Sequence, residues 1–253
     1  MKEGSGWACP ALRAQYDAYL ADLDDKVATG EEPFSRTIFL RAPSHSGPRA
    51  NFFLALTRVE TPLVYSNQHD LVFARVVPEI PRIVAAMLAN TSINYVAFAR
   101  PEHMIGAYFQ DSLQVDVGGV KLRSIAGYSD ADHLARTAYY RDHVEPYVTA
   151  SAPFYIEDVM HPTVWACSPH SAGDCSVFRY HSPNAGAHCR ALLGNCTVAE
   201  TALSEGLFRV EGWPMSHLNG ESMGGEMDVD ERCTSLPRNS GGTDKQLRNV
   251  LAG

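Results

Sequence analysis

Three short runs in this sequence combine residue types that can do chemistry. The first is Asn67-Gln68-His69-Asp70, which follows directly on the apolar run Leu63-Val64-Tyr65. A carboxylate and an imidazole beside two amides can hold a divalent cation against a diphosphate. A hard cation accepts carboxylate oxygen and imidazole nitrogen and leaves its other positions to phosphate oxygens. His69 and Asp70 can equally cap a loop. The second run is Glu157-Asp158, delivered by Phe154-Tyr155-Ile156. A sugar hydroxyl is a poor nucleophile until a positioned carboxylate takes its proton during attack, and this pair supplies such a base. The alternative is an acid pair at a helix N-terminus, favoured there by the macrodipole. The third is Asp130 with Asp132-His133, where Asp132 can also cap a following helix.

Residues this far apart act together only if strands and helices bring them to one place. In open α/β sheets that place is the carboxyl end of the strands, so polar side chains that directly follow a buried apolar run are the first candidates. Leu12, Tyr16, Tyr19, Leu20, Leu23 and Val27 have helical spacing closed by Gly30, which predicts an amphipathic covering helix. A strand is expected over Thr37 to Arg41, a helix over Arg49 to Arg58 and a short strand over Leu63 to Ser66. Pro78 to Leu88 reads as a helix, Ile93 to Phe98 as a strand, Val115 to Ile125 as a hairpin and Asp132 to Arg141 as a helix. This alternation predicts an α/β fold, a mainly parallel central sheet flanked by helices with sequential crossovers. Ser168 to Cys196 gives weak signals, and the last thirty residues, with Gly224-Gly225 and Gly241-Gly242, read as a poorly packed tail. The expected division is a covering helix over 1–35, an α/β domain over 36–223 and a polar, poorly ordered tail over 224–253.

Composition narrows the function classes. A chain of 253 residues can bury a sizeable core, and 45% apolar against 20% charged residues excludes a disordered chain. The formal charge of −8, with no long Lys or Arg run, gives no field to collect a phosphate backbone, so nucleic acid is not an expected partner. No apolar stretch approaches the ~20 residues of a membrane span, and the first residues lack a signal-peptide apolar region. The segment is expected to be soluble. Cys167, Cys175, Cys189 and Cys196 lack the paired short spacing of a zinc ribbon, which favours disulfides over zinc. With the sequons Asn90-Thr91-Ser92 and Asn195-Cys196-Thr197 they are compatible with a lumenal or secreted protein, which then requires a targeting segment upstream. Buried free thiols and unused sequons are the alternative.

Gly47-Pro48-Arg49-Ala50-Asn51, a helix, Thr61 to Tyr65 and then Gln68-His69-Asp70-Leu71 resemble the GT-A-type glycosyltransferases, in which a helix precedes an apolar strand ending in an acidic metal motif. The resemblance continues through Ile93-Asn94-Tyr95-Val96, Tyr128 to Arg136 and Phe154 to Asp158, covering roughly residues 37 to 160. It is nearest to a glycosyltransferase-like group with a Glu-His-Asp version of the motif. The Asp-x-Asp positions fall on Gln68-His69-Asp70, so only Asp70 keeps a carboxylate. The resemblance implies transfer of a sugar from a nucleotide-diphosphate donor to a hydroxyl on a glycan, protein or lipid, with inversion. It implies Asp158 as the base with Glu157 beside it, and Asp130, Asp132, His133, Arg49 and Asn51 lining the substrate cleft. Mn²⁺ or Mg²⁺ would sit on Asp70 and His69, with His217 completing the shell; a structural role for His217 is the alternative. The ER or Golgi lumen is the implied location. A complete domain of this type begins with a nucleotide-binding strand, helix and strand, whereas about 35 mostly helical residues precede Thr37, so the chain is expected to lack that unit. The rival from another class is a degenerate domain that binds glycans or a partner enzyme.

Two further motifs fail on context. Gly220-Glu221-Ser222-Met223-Gly224 has the nucleophile-elbow pattern, but no apolar strand precedes it and no histidine follows. Asp228-Val229-Asp230 follows Gly224-Gly225 and reads as exposed acidic sequence. Neither phosphate-binding glycine signature occurs.

Overall fold

The computed structural model describes residues 10–42, 47–67, 71–73, 80–98, 114–149, 155–168, 185–210 and 215–217. The expected tail over 224–253, the elbow pattern, Asp228-Val229-Asp230 and Gln68-His69-Asp70 lie outside them. The chain divides into two compact units, one holding residues 10–41 and the other spanning Ala42–His217.

In the first unit, helix α1 (Pro10–Thr29) ends where expected, with Gly30 at φ +67° donating to the Val27 carbonyl. Thr37 to Arg41, expected as a strand, is not one. Ile38 is 69% exposed, and Arg41 instead lies 5.4 Å over the Phe39 ring and pairs with Asp24. An apolar run makes a strand only when another strand takes its backbone groups.

The second unit is an α/β structure. Its elements are α2 (Gly47–Leu56), β1 (Leu63–Ser66), β2 (Leu71–Phe73), α3 (Ile80–Ala89), β3 (Tyr95–Ala97), β4 (Gln114–Val117), β5 (Val120–Ser124) and β6 (His133–Arg136). Then follow α4 (Thr137–Tyr139), a π turn (Tyr140–Val144), α5 (Glu145–Thr149), α6 (Glu157–Cys167), α7 (Ala185–Leu192), α8 (Val198–Ser204), β7 (Leu207–Val210) and β8 (Met215–His217). Six strands form a sheet in the order β1-β6-β3-β7-β5-β4, and β2 pairs with β8 separately.

The sheet is mixed, which corrects the mainly parallel arrangement expected. Among the described residues only β3–β7 is a parallel pair, while β6 runs antiparallel to both β1 and β3. The difference arises at Asp132 to Arg141, which reads as a helix but supplies strand β6 before turning helical at Thr137. Leu134 and Ala135 are buried, one on each face, so this central strand shows no alternation of apolar and polar residues.

The pleat sorts the core into two layers. Tyr95 and its cross-strand partner Ala135 face α5, α6 and α8, where Val148, Val159, Met160 and Leu203 are buried. Val96 and Leu134 face α3, against Ile83 and Met87. The β4–β5 hairpin turns through Gly118-Gly119, both at positive φ as a two-residue hairpin requires. Cys167 and Cys196 form a disulfide between the end of α6 and the residue before the α8 cap. No helix among the described residues is long and apolar enough to cross a membrane.

Candidate functional site

After β5 the chain leaves the sheet and returns to it as β6, and the intervening segment carries the polar residues. Tyr128 is buried with its ring 5.3 Å from that of Tyr95, whose hydroxyl donates to the Ser129 carbonyl at 2.7 Å. The backbone of Ser129 is thereby held against the sheet.

Asp130 and Glu157 then clasp one another. The Asp130 amide donates to Glu157 Oε2 at 2.9 Å, and the Glu157 amide donates to Asp130 Oδ2 at 3.3 Å. The Ser129 hydroxyl adds a long contact to the same Glu157 oxygen at 3.5 Å. Helix α6 has no side-chain cap from Ile156, so Asp130 satisfies one of its leading amides from a distant part of the chain. Pro162 has no N–H for the Asp158 carbonyl, so α6 lacks that one internal hydrogen bond.

Two residues on, Asp132 points its carboxylate the other way. Oδ2 accepts the Tyr65 hydroxyl at 3.0 Å and the Asn67 amide at 2.6 Å, while its carbonyl accepts the Phe98 amide at 2.9 Å. Asp132 has no exposed surface, whereas Tyr65 is 40% exposed with its ring edge-on to Phe98. A three-residue segment spans at most about 7 Å between its end Cα atoms. Asp130 to Asp132 therefore ties the end of β1 to the start of α6. Asn67, the residue before Gln68-His69-Asp70, and the Glu157-Asp158 pair are brought to the two ends of that tether.

The electrostatics follow from the crowding. Burial, and after it the charge of Glu157 and then of Asp158, raises the Asp130 carboxyl to about 8, so it carries a proton at neutral pH. Glu157 and Asp158 are both partly exposed. His161, one turn along α6, places Nδ1 3.9 Å from Glu157 Oε1 and bonds the Tyr128 carbonyl through the same nitrogen. The ring occupies the space a side chain at Gly127 would need, since a Cβ there would lie 2.9 Å from its Cε1.

His133 belongs to the interior. Burial lowers its imidazole to about 4, so it is neutral. With Nδ1 facing the Ala131 carbonyl, that nitrogen carries the hydrogen, and Nε2 accepts from the Tyr140 hydroxyl, which in turn accepts from Tyr128 at 2.7 Å. In this conformation neither His133 nor the Asp132 carboxylate meets solvent.

The remaining candidates fall elsewhere. Arg49 on α2 donates to the Val148 carbonyl at 3.3 Å, and Asn51 is exposed on the same helix. Phe52 of α2 rests 4.7 Å from Tyr140, one hydrogen bond away from His133. His69 and Asp70 lie outside the described residues. The β2–β8 register sets the His217 backbone opposite Leu71, the residue after Asp70. Among the described residues no three His, Cys, Asp or Glu side chains are gathered as a metal set. Tyr65, Ser129, Tyr140 and His161 are absent from the sequence-derived candidates. Tyr65 is marked by type and place, an aromatic at the end of an apolar run, but its partner Asp132 and the roles of the other three are recognisable only once the loop is placed.

Compared with known protein families, curated proteins and solved structures, the chain matches none.

Proposed function

We propose that the Ala42–His217 unit is a GT-A-type glycosyltransferase that moves a sugar from a nucleotide-diphosphate donor to a hydroxyl of a glycan, protein or lipid. The acceptor oxygen forms a bond to the anomeric carbon, the bond from that carbon to the diphosphate breaks on the opposite side, and the acceptor proton passes to Asp158. Inversion follows from this single displacement. Asp70 with His69 and His217 would hold Mn²⁺ or Mg²⁺, which neutralises charge on the departing diphosphate.

The observation that carries this reading is the tether through Asp130 and Asp132. It connects the strand that leads into Gln68-His69-Asp70 with the helix that presents Asp158, as a donor site and a base acting on one bond require. Within it Asp132 acts as a positioning residue for Tyr65 and Asn67 rather than as a substrate contact. The half-exposed Tyr65 ring offers a flat apolar face of the kind a sugar or base packs against. The Cys167–Cys196 disulfide favours the ER or Golgi lumen or the outside of the cell.

A second reading draws on the clasp itself. Glu157 spends its carboxylate on the Asp130 amide, so the acid pair also makes sense as helix-start architecture in a non-catalytic domain that binds glycans or a partner. Asp158→Asn separates the two. Transfer should fall by ~10²-fold or more while donor binding persists. An Asp158→Asn protein with undiminished transfer would remove Asp158 from the role of base.

A further inference from the structure

The turn between α7 and α8 contains Asn195-Cys196-Thr197, and in the folded protein each of its three residues has a structural role. The Asn195 amide donates to the Leu192 carbonyl at 3.0 Å. Cys196 is bonded to Cys167, 29 positions earlier. Thr197 caps α8, its hydroxyl accepting the Glu200 amide at 3.3 Å and its own amide donating to Glu200 Oε2 at 2.7 Å. Asn195 itself is exposed, preceded by Gly194 at φ +80° and followed within three residues by Val198, 90% exposed. Bulk attached to the Asn195 side chain therefore projects into solvent and displaces nothing in the core.

We propose that Asn195 is an N-glycan acceptor whose occupancy is set by competition with closure of the Cys167–Cys196 disulfide. The Asn195 side-chain nitrogen bonds to the anomeric carbon of an oligosaccharide carried on a lipid diphosphate. The bond from that carbon to the diphosphate breaks, and the nitrogen loses one proton as the lipid diphosphate departs. The requirement for Ser or Thr two positions on means that the acceptor enzyme reads that hydroxyl. In the closed turn the Thr197 hydroxyl is committed to the α8 cap and Cys196 to its partner, so the sequon is readable before the turn closes. The finished turn then leaves room for the sugar. Asn90 offers a less open position: it is half-buried, its side-chain oxygen accepts the Ser92 amide and hydroxyl at 3.0 and 2.7 Å, and its carbonyl accepts Arg136.

The test secretes the full chain from cultured animal cells behind a cleavable secretion signal. Peptide N-glycosidase in heavy-oxygen water converts each glycosylated Asn to labelled Asp, and peptide mass spectrometry counts the label at position 195. The label is expected in wild type and absent at that position in Asn195→Gln. Cys167→Ser, which leaves the sequon untouched but removes the competing bond, should raise occupancy about twofold or more, because the sequon is then no longer withdrawn by disulfide closure, which runs over seconds to hours. Occupancy is read in the intracellular pool as well as the medium, so a variant that fails to fold still reports. An unlabelled Asn195 in wild type overturns the proposal, as does equal occupancy in wild type and Cys167→Ser.

Discussion

Asp130 and His133 lie three positions apart and titrate abnormally in opposite directions, which makes the pH dependence of stability diagnostic. Asp130 holds its proton more tightly folded than unfolded, with its carboxyl raised from 3.8 to about 8. Over that interval the unfolded chain binds fewer protons than the folded one, so stability falls as pH rises. His133 is lowered from 6.5 to about 4, so between those values the unfolded chain binds more protons and stability rises with pH. The two slopes oppose each other up to about 6.5, and above that only the Asp130 loss remains, ending near 8. Thermal denaturation across this range should show the midpoint declining from near neutrality into mild alkali. Asp130→Asn keeps an acceptor for the Glu157 amide and should flatten that decline. An unchanged decline in the variant would mean that another group holds the proton.

At the scale of elements, β7 meets the β3 strand through Gly206, whose carbonyl accepts the amides of both Asn94 and Tyr95. Its φ is +67°, and a Cβ there would lie 2.1 Å from the Ser92 carbonyl oxygen, a backbone atom that cannot swing aside. Gly206→Ala should therefore cost roughly 3 kcal/mol or more, measured by urea unfolding, through strain and overpacking together. A loss under about 1 kcal/mol would show that the β3–β7 junction is not built this way. Elements with a strong period or strong punctuation were readable from the sequence: α1 up to Gly30, α2, α3 and the Gly118-Gly119 hairpin. β6 was not, because a strand buried on both faces carries no alternation and its Leu134-Ala135-Arg136 favours helix locally. The site divides in the same way. Asp130, Asp132 and Glu157 stand out by residue type, whereas Tyr65 and Ser129 matter through contacts spanning 67 and 28 positions, which no local pattern encodes.

For the molecule as a whole, the loop from Gly127 to Asp132 packs Tyr128 on the α5, α6 and α8 side of the sheet and Ala131 on the α3 side, and it links β1 to α6. The α6–α7–α8 side is fastened by the Cys167–Cys196 bond, which closes a loop of about 30 residues and by chain entropy contributes roughly 3–4 kcal/mol. A rigid frame of this kind suits a site whose reacting groups come from separate elements, since misplacement by about 1 Å costs large factors in rate. For the proposed sugar transfer, the strand leading into Asp70 and the helix bearing Asp158 must serve one nucleotide-sugar site. Titration calorimetry of the full chain with Mn²⁺ and a panel of UDP- and GDP-sugars tests it most directly. Saturable binding of at least one donor that Asp70→Ala abolishes and Asp158→Asn preserves is the predicted result, and the absence of heat across the whole panel would contradict the account.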